Sequence, residues 1–312
     1  MVEALSTREA CGIALLNLGY EEENIVVLDA DLSVSTQTKK FADKFPKRFF
    51  NVGCAEQNLI GTAAGLAIGG KIAFAGTYAM FLTRAWEQIR NTVAHDNLNV
   101  KIMASHSGLT NAPDGASHQC FEDIAIMRCL PNMCVLNPAD AIEAEKMLIN
   151  EIHRHGPSYI RLNRVSTPII NSEDYVFDFG RTVEIREGED VTIIATGTMV
   201  IEAIKASEML KKDGISARVI NVPTIKPLDK NDIIKSASDT GHIITIEEHS
   251  IYGGLGGAIA EIIVENYPVP MKIMGIKDRF GESGEYKYLI KKFGLIDVEI
   301  VNNARELIGD RK

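Results

Sequence analysis

The chain has 312 residues, 33 basic and 42 acidic, for a net charge of −9, with 46% apolar and 24% charged residues. That acidic balance argues against a broadly basic nucleic-acid-binding surface. The length suggests two domains at about 150 residues each, and no apolar run reaches the roughly 18 residues of a membrane span. Short β-branched runs then alternate with helical patterns along the chain. Strands are predicted over 25–28, 72–75, 100–104, 133–136 and 158–162, with helices over 55–68, 80–94, 121–128 and 139–153. Such alternation indicates a parallel sheet covered on both faces. The helix over 55–68 is rich in small residues (Gly61, Ala63, Ala64, Gly65, Ala67), which predicts a second backbone packed close against it, and Gly69-Gly70 supplies its stop.

Periodicity fails over 168–179, and the domain boundary is placed there: a first domain over 1–167, a linker over 168–187 and a second domain over 188–312. The second run predicts strands over 191–195, 217–222, 242–247 and 271–276. Its helices are predicted over 199–210, 230–238 and 257–265, and a last one over 285–293 ends at Gly294. The fold class is α/β, in two domains, each a mainly parallel sheet flanked by helices.

The opening stretch places Glu3, Arg8 and Glu9 where a signal peptide would need a basic start and an uninterrupted apolar run. Cys11, Cys54, Cys120, Cys129 and Cys134 are odd in number and form no Cys-x-x-Cys pair. They read as small buried apolar residues of a reducing compartment, which predicts a cytoplasmic protein.

Four clusters could carry chemistry. In the first, Asn51 through Asn58, Glu56 and Gln57 open an otherwise small and apolar helix. A plain reading is a carboxylate favoured by the helix dipole. The second cluster places Tyr78, Phe81 and Arg84 just after a strand, where open α/β sheets bind ligands, although aromatics at helical spacing also serve cores. The third gathers His106, Asp114 and His118 in one polar, glycine-containing loop, where the twelve-residue separation of the histidines fits no compact zinc spacing. Arg161 and Arg164 form the fourth, at a strand end, and suit recognition of a phosphate or carboxylate. The run Gly253-Gly254-Leu255-Gly256-Gly257 lacks the spacing and the Lys-Ser/Thr ending of phosphate loops, and reads as a tight entry into a helix starting at 257.

The order and spacing of these clusters resemble the C-terminal half of transketolase, its pyrimidine-binding domain plus its C-terminal domain, over essentially the whole chain. The likeness is carried by 48–58 (RFFNVGCAEQN), 114–119 (DGASHQ), 131–140 (PNMCVLNPAD) and 225–229 (IKPLD). It is close to the stand-alone C-terminal subunit of two-subunit transketolases, with deoxyxylulose-phosphate synthase as a more distant relative. Such enzymes move a two-carbon ketol unit from a ketose to an aldose with thiamine diphosphate, often within pentose phosphate metabolism.

The resemblance implies a role for each matched residue. Glu56 matches the glutamate that hydrogen-bonds N1′ of the cofactor's aminopyrimidine and favours its imino tautomer, a task that calls for a buried carboxyl with a raised pKa. Tyr78 and Phe81 match the aromatic pocket around the pyrimidine. Arg84 stands where many transketolases have a third aromatic and the deoxyxylulose-phosphate synthases have arginine. Asp31 matches an aspartate near the thiazolium and the substrate hydroxyls. His106 and His118 match histidines that contact the sugar and assist proton transfer, and Asp114 matches a residue that reads a substrate hydroxyl. Arg8, Ser35 and Arg164, with His106 close by, match the group that holds a terminal phosphate.

Full-length enzymes of this family hold the cofactor diphosphate and Mg²⁺ through Gly-Asp-Gly and a downstream Asn. No Gly-Asp-Gly occurs in this chain. The resemblance therefore implies an N-terminal partner subunit carrying that motif and the metal, in a heterotetramer with two copies of each subunit. It also implies a substrate that is a sugar phosphate or another anionic sugar, while the acidic balance and the lack of a spanning apolar run predict no nucleic-acid or membrane partner. Two rivals remain. The beta subunit of a 2-oxo acid dehydrogenase lacks the Asp-Gly-x-x-His-Gln found here at 114–119, and a silent scaffold subunit would be free to lose Glu56, His106 and His118.

Overall fold

The structure, a computed structural model of the chain, describes residues 4–309, so Glu3 and the outer ends of the two predicted domains (1–3 and 310–312) lie outside the described residues. Among the described residues twelve strands form two sheets. In chain order they are β1 (Ile25–Asp29), β2 (Phe49–Asn51), β3 (Ile72–Tyr78), β4 (Val100–Ser105), β5 (Cys134–Leu136), β6 (Ser158–Arg161), β7 (Val183–Arg186), β8 (Val191–Ala195), β9 (Ala217–Asn221), β10 (Thr224–Lys226), β11 (Ile243–Ser250) and β12 (Met271–Ile276). The first sheet runs β10-β5-β6-β4-β3-β1-β2 and the second β12-β11-β8-β9-β7. Every pairing between these strands is parallel except at two of the four edges, β10 against β5 and β7 against β9. β1, β4, β5, β6 and β8 are buried at every position. Strands covered by helices on both faces read as unbroken apolar runs, which is why the sequence showed them.

β10 follows the second sheet's β9 yet pairs in the first, with Thr224 opposite Leu136. The two halves also share core: Leu109, Ala112 and Phe121 pack in one cluster with Val191, Ile193 and Ile246. β7 lies inside the stretch read as linker.

Several elements differ from the sequence reading. A helix Thr7–Glu21 opens the described chain, capped by Ser6 and Glu9 in a reciprocal box. The predicted helix over 80–94 is broken into short α, 3-10 and π segments, with Ile89–Ala94 a π turn. The glycine-rich run enters its helix at Leu255, two residues early. There the Leu255 and Gly256 N–H groups donate to the Glu247 carboxylate at 2.7 and 2.8 Å, so the loop cradles an internal anion. A further helix, Asp297–Ile308, follows the one predicted to be last. Among the cysteines, all free, Cys54 and Cys129 are exposed rather than buried. Gly61 and Gly65 face outward: a Cβ on either would meet nothing within 4 Å, so among the described residues no second backbone packs there. Among the described residues no helix is long and apolar enough to cross a membrane.

Candidate active site

The carboxyl ends of β1, β3, β4 and β6 lead into the segments that carry the candidate residues, as open α/β sheets dispose their ligand sites. At the end of β1 the buried Asp29 carboxylate accepts from Leu32 N–H at 2.5 Å, Thr36 Oγ1 at 2.7 Å and Thr38 Oγ1 at 2.8 Å. Burial pushes its pKa up. These bonds shape the loop that presents Asp31 and Ser35. Asp31 is exposed, sits at φ +65°, and exchanges two hydrogen bonds with the Asn51 side chain at 3.1 and 2.9 Å.

His106 follows β4 at φ +58° and is 1% exposed. Positive φ is strained for a side chain other than glycine and is concentrated at functional sites. Its Nδ1 lies 2.7 Å from Ser105 Oγ and its Nε2 lies 3.4 Å from Arg8 Nη1. A guanidinium can only donate, so Nε2 accepts and the ring proton resides on Nδ1, which donates to Ser105. Burial, joined by the charges of Arg8 and Arg164 and by His118, lowers the His106 pKa to about 3. The ring is therefore neutral at physiological pH and serves as an acceptor that orients Arg8. Arg8 Nη1 also donates to the Ser35 carbonyl at 2.6 Å, while its Nε is buried without a partner.

His106, Tyr78 and Phe81 stack ring on ring, with centroids 3.9 Å apart for the first pair and 5.3 Å for the second. His118 meets Phe81 edge-on at 5.3 Å, and its Nδ1 lies 2.9 Å from Ser117 Oγ. Arg164 Nη1 donates to Asn111 Oδ1 at 2.9 Å and lies 3.7 Å from the Asp114 carboxylate. The other arginine of the fourth cluster has a different place. Arg161 is buried, with Nε 2.8 Å from Asp123 Oδ2 and Nη2 donating to the Glu248 carbonyl at 2.8 Å. It holds the fold and does not face a ligand, which corrects the reading of Arg161 and Arg164 as a pair.

The second domain braces the loop that carries Asp114 and His118. Leu109 N–H donates to the buried Glu248 carboxylate, whose other oxygen accepts from Thr198 Oγ1 at 2.7 Å and Tyr286 O–H at 2.8 Å. Gly284 N–H donates to the Ala112 carbonyl at 3.1 Å, and Gln119 Nε2 donates to the Glu282 carbonyl at 3.0 Å.

Glu56 is the first residue of helix Glu56–Ile68 and, with Gln57, Asn58 and Arg84, lines a cleft of about 600 Å³. It is half-buried rather than buried. The helix presents an outward face to solvent at Gln57, Asn58, Gly61 and Gly65. Direct contacts thus join Arg8, Ser35 and His106, and join His106, Tyr78, Phe81 and His118. Arg164 and Asp114 form a neighbouring pair, Glu56 and Arg84 share the cleft, and Asp31 stands with Asn51 alone. Sequence reasoning missed Asn111; its signal was a position inside the polar loop between the two histidines.

Residues 3–169 match the family model for the transketolase pyrimidine binding domain and residues 180–300 that for the transketolase C-terminal domain. The chain is 50% identical over 304 residues to a "Putative transketolase C-terminal section" of Methanocaldococcus jannaschii, covering 96% of this chain and 95% of that one. It is 44% identical over 299 residues to a 6-deoxy-6-sulfo-D-fructose transketolase subunit of a Clostridium species, covering 96% and 92%. Among solved structures it superposes on a split gene transketolase, in an inactive beta4 tetramer, with a TM-score of 0.89, 46% identity and 98% coverage of each chain.

Proposed function

We infer, since this chain belongs to the transketolase family, that it is the C-terminal subunit of a two-subunit transketolase that moves a ketol unit between anionic sugars. The observation that carries this reading is the joined set of Arg8, Ser35, His106, Tyr78, Phe81 and His118 at the strand ends, beside the Glu56 cleft. The residues fit the aminopyrimidine end of thiamine diphosphate: a half-buried carboxyl in an open cleft whose lining includes Arg84, three residues after Phe81 of the stacked rings. We assign Glu56, Tyr78, Phe81, Arg84 and Asp31 to hold the cofactor. When bound, thiamine diphosphate supplies the chemistry that breaks and makes the carbon–carbon bond beside the ketose carbonyl.

The chain's own residues then have separable tasks. Glu56 holds a proton at N1′ of the pyrimidine. His118, beside Phe81, moves protons at the sugar hydroxyls, and Asp114 accepts from one of them. Neutral His106 fixes Arg8 through Nε2. Arg8, Ser35 and Arg164 hold the terminal anion, a phosphate or a sulfonate. Among the described residues no three His, Cys, Asp or Glu side chains are grouped to hold a metal, and the chain carries no Gly-Asp-Gly. We therefore assign Mg²⁺ and the cofactor diphosphate to an N-terminal partner subunit, in a heterotetramer with two copies of each chain. The free thiols support a cytoplasmic setting. The domain division of 1–167, a 168–187 linker and 188–312 is retained as part of this proposal, with β7 as a strand within the linker.

The isolated chain is expected to show no ketol transfer and no appreciable affinity for thiamine diphosphate, with activity restored by a Gly-Asp-Gly-bearing partner. Calorimetry of the chain alone and transfer assays of the mixture check this. Micromolar affinity of the chain alone would sink the division of labour, and a mixture that binds cofactor without transfer would favour the silent scaffold.

Arg164→Ala is expected to lower kcat/KM for an anionic sugar by about 2–3 kcal/mol, the scale of a charge-assisted hydrogen bond. An uncharged short ketose should lose almost nothing. Remote contacts of this kind can act on turnover as well as affinity, so both parameters need measuring. Equal losses for the two sugars would place Arg164 outside the anion site.

A further inference from the structure

We propose that Asn111 is a positioning residue for the substrate's terminal anion, its side-chain carbonyl fixing the Arg164 guanidinium without neutralising it. The proposal rests on the reading of Arg164 as part of the anion site. Asn111 is fully buried, in the segment Leu109–Asp114, at a point where the backbone leaves helical geometry (φ −88°, ψ +40°). Its Oδ1 accepts from Arg164 Nη1 at 2.9 Å, while its Nδ2 is buried with no partner. A buried amide with idle N–H groups is costly, and an apolar side chain of similar volume would avoid that cost. What the amide supplies, and leucine could not, is the acceptor for Arg164.

The choice of acceptor matters as much as its presence. A guanidinium orients to any fixed oxygen, but a carboxylate at this point would also cancel its charge. Asp114 already stands 3.7 Å away, beyond hydrogen-bond distance and about two-fifths exposed. A second carboxylate, buried and in direct contact, would leave little positive charge for a ligand. An amide orients the fork and leaves its charge free. The remaining Arg164 N–H groups, and Arg8 held by His106 and Ser35, can then face an anion with several acceptor oxygens.

The test uses the assembled enzyme with its partner subunit, transferring the ketol unit from erythrulose to glyceraldehyde, both uncharged, to give a five-carbon ketose and glycolaldehyde, with inorganic phosphate as competing anion. Phosphate is expected to inhibit the wild type, and Arg164→Ala to raise its inhibition constant about tenfold or more. Asn111→Ala should raise it about tenfold too, because Arg164 loses its hold, and adding Arg164→Ala to it should change little further. Asn111→Asp keeps the shape and the acceptor oxygen but buries a carboxylate against Arg164, so the proposal predicts a loss for phosphate at least as large as that of Asn111→Ala with the uncharged transfer retained, whereas a merely structural disturbance would lower both alike. Transfer between the uncharged sugars should stay near wild type in both variants. The rise in Tm that phosphate confers on the assembled enzyme gives the same ranking without turnover. If Arg164→Ala weakens phosphate and Asn111→Asp does not, the role of Asn111 is overturned and the anion site stands. If phosphate fails to inhibit, or Arg164→Ala leaves its inhibition unchanged, the anion reading falls and this inference with it. Equal losses for phosphate and for the uncharged sugars would make Asn111 a structural residue only.

Discussion

Glu56→Gln is expected to lower ketol-transfer turnover of the assembled enzyme roughly 10²–10⁴-fold, the range of lost general acid–base catalysis. The amide has nearly the shape of the carboxyl group but cannot hold an acidic proton at N1′. Glu56 opens the helix Glu56–Ile68 and its side chain accepts no hydrogen bond that caps the helix, so the substitution should leave folding and assembly intact. A carboxylate in the first turn contributes about 0.3–1 kcal/mol through the helix dipole, which bounds the stability effect. Turnover and unfolding free energy, measured on the same preparation, separate the two roles. Near-normal turnover with a small stability loss would return Glu56 to dipole compensation alone.

Arg161→Leu is expected to destabilise the chain by about 3–5 kcal/mol, the cost of stranding one member of a buried ion pair. Arg161 and Asp123 are 4% and 1% exposed, and Asp123 Oδ2 also accepts from Tyr159 O–H at 2.9 Å. Burial works against the Arg161 charge, yet Asp123 outweighs it and holds the guanidinium above its ordinary pKa. Removing the arginine leaves the carboxylate in an apolar setting with a single hydroxyl to satisfy it. Arg161 Nη2 also ties the first sheet to the Glu248 carbonyl on β11, so the loss spreads to the junction of the two sheets. Denaturant unfolding checks the size of the effect. Replacing both partners, Arg161→Leu with Asp123→Leu, should recover much of the stability because no charge is stranded. Arg164→Ala, which strands only the neutral side-chain carbonyl of Asn111, should cost less, about 1–3 kcal/mol. A loss below about 1 kcal/mol for Arg161→Leu would mean the pair is solvated and the assignment of the two arginines is wrong.

The contrast between Arg161 and Arg164 marks the limit of local sequence information. Three residues apart, both follow the same apolar strand and both suit an oxyanion. Arg161 is the last residue of β6, where Asp123, 38 positions earlier, reaches it inside the core. Arg164 lies past the strand, in the loop. Nothing in the tetrapeptide distinguishes them, because the deciding carboxylate comes from elsewhere in the chain. The capped helix Thr7–Glu21 is the opposite case. Its Ser6-Thr7-Arg8-Glu9 box is legible as a helix start, because a capping box is complete within four consecutive residues.

The sequence by itself determined the alternation of buried strands and helices, the placement of polar clusters after strands, and the motifs that carry the family likeness. Each depends on short-range order: apolar runs of one sheet layer, turns at their ends, and spacings within a loop. Tertiary structure decided what depends on partners distant in the chain. It sent the three-residue strand Thr224–Lys226 back to the first sheet, too short for any period to reveal. It buried His106 beside Arg8 and so kept the ring neutral. It placed Asn111 under Arg164, and it left Glu56 half-buried with Gly61 and Gly65 facing outward, because burial is a property of everything that packs around a residue and not of the residue alone.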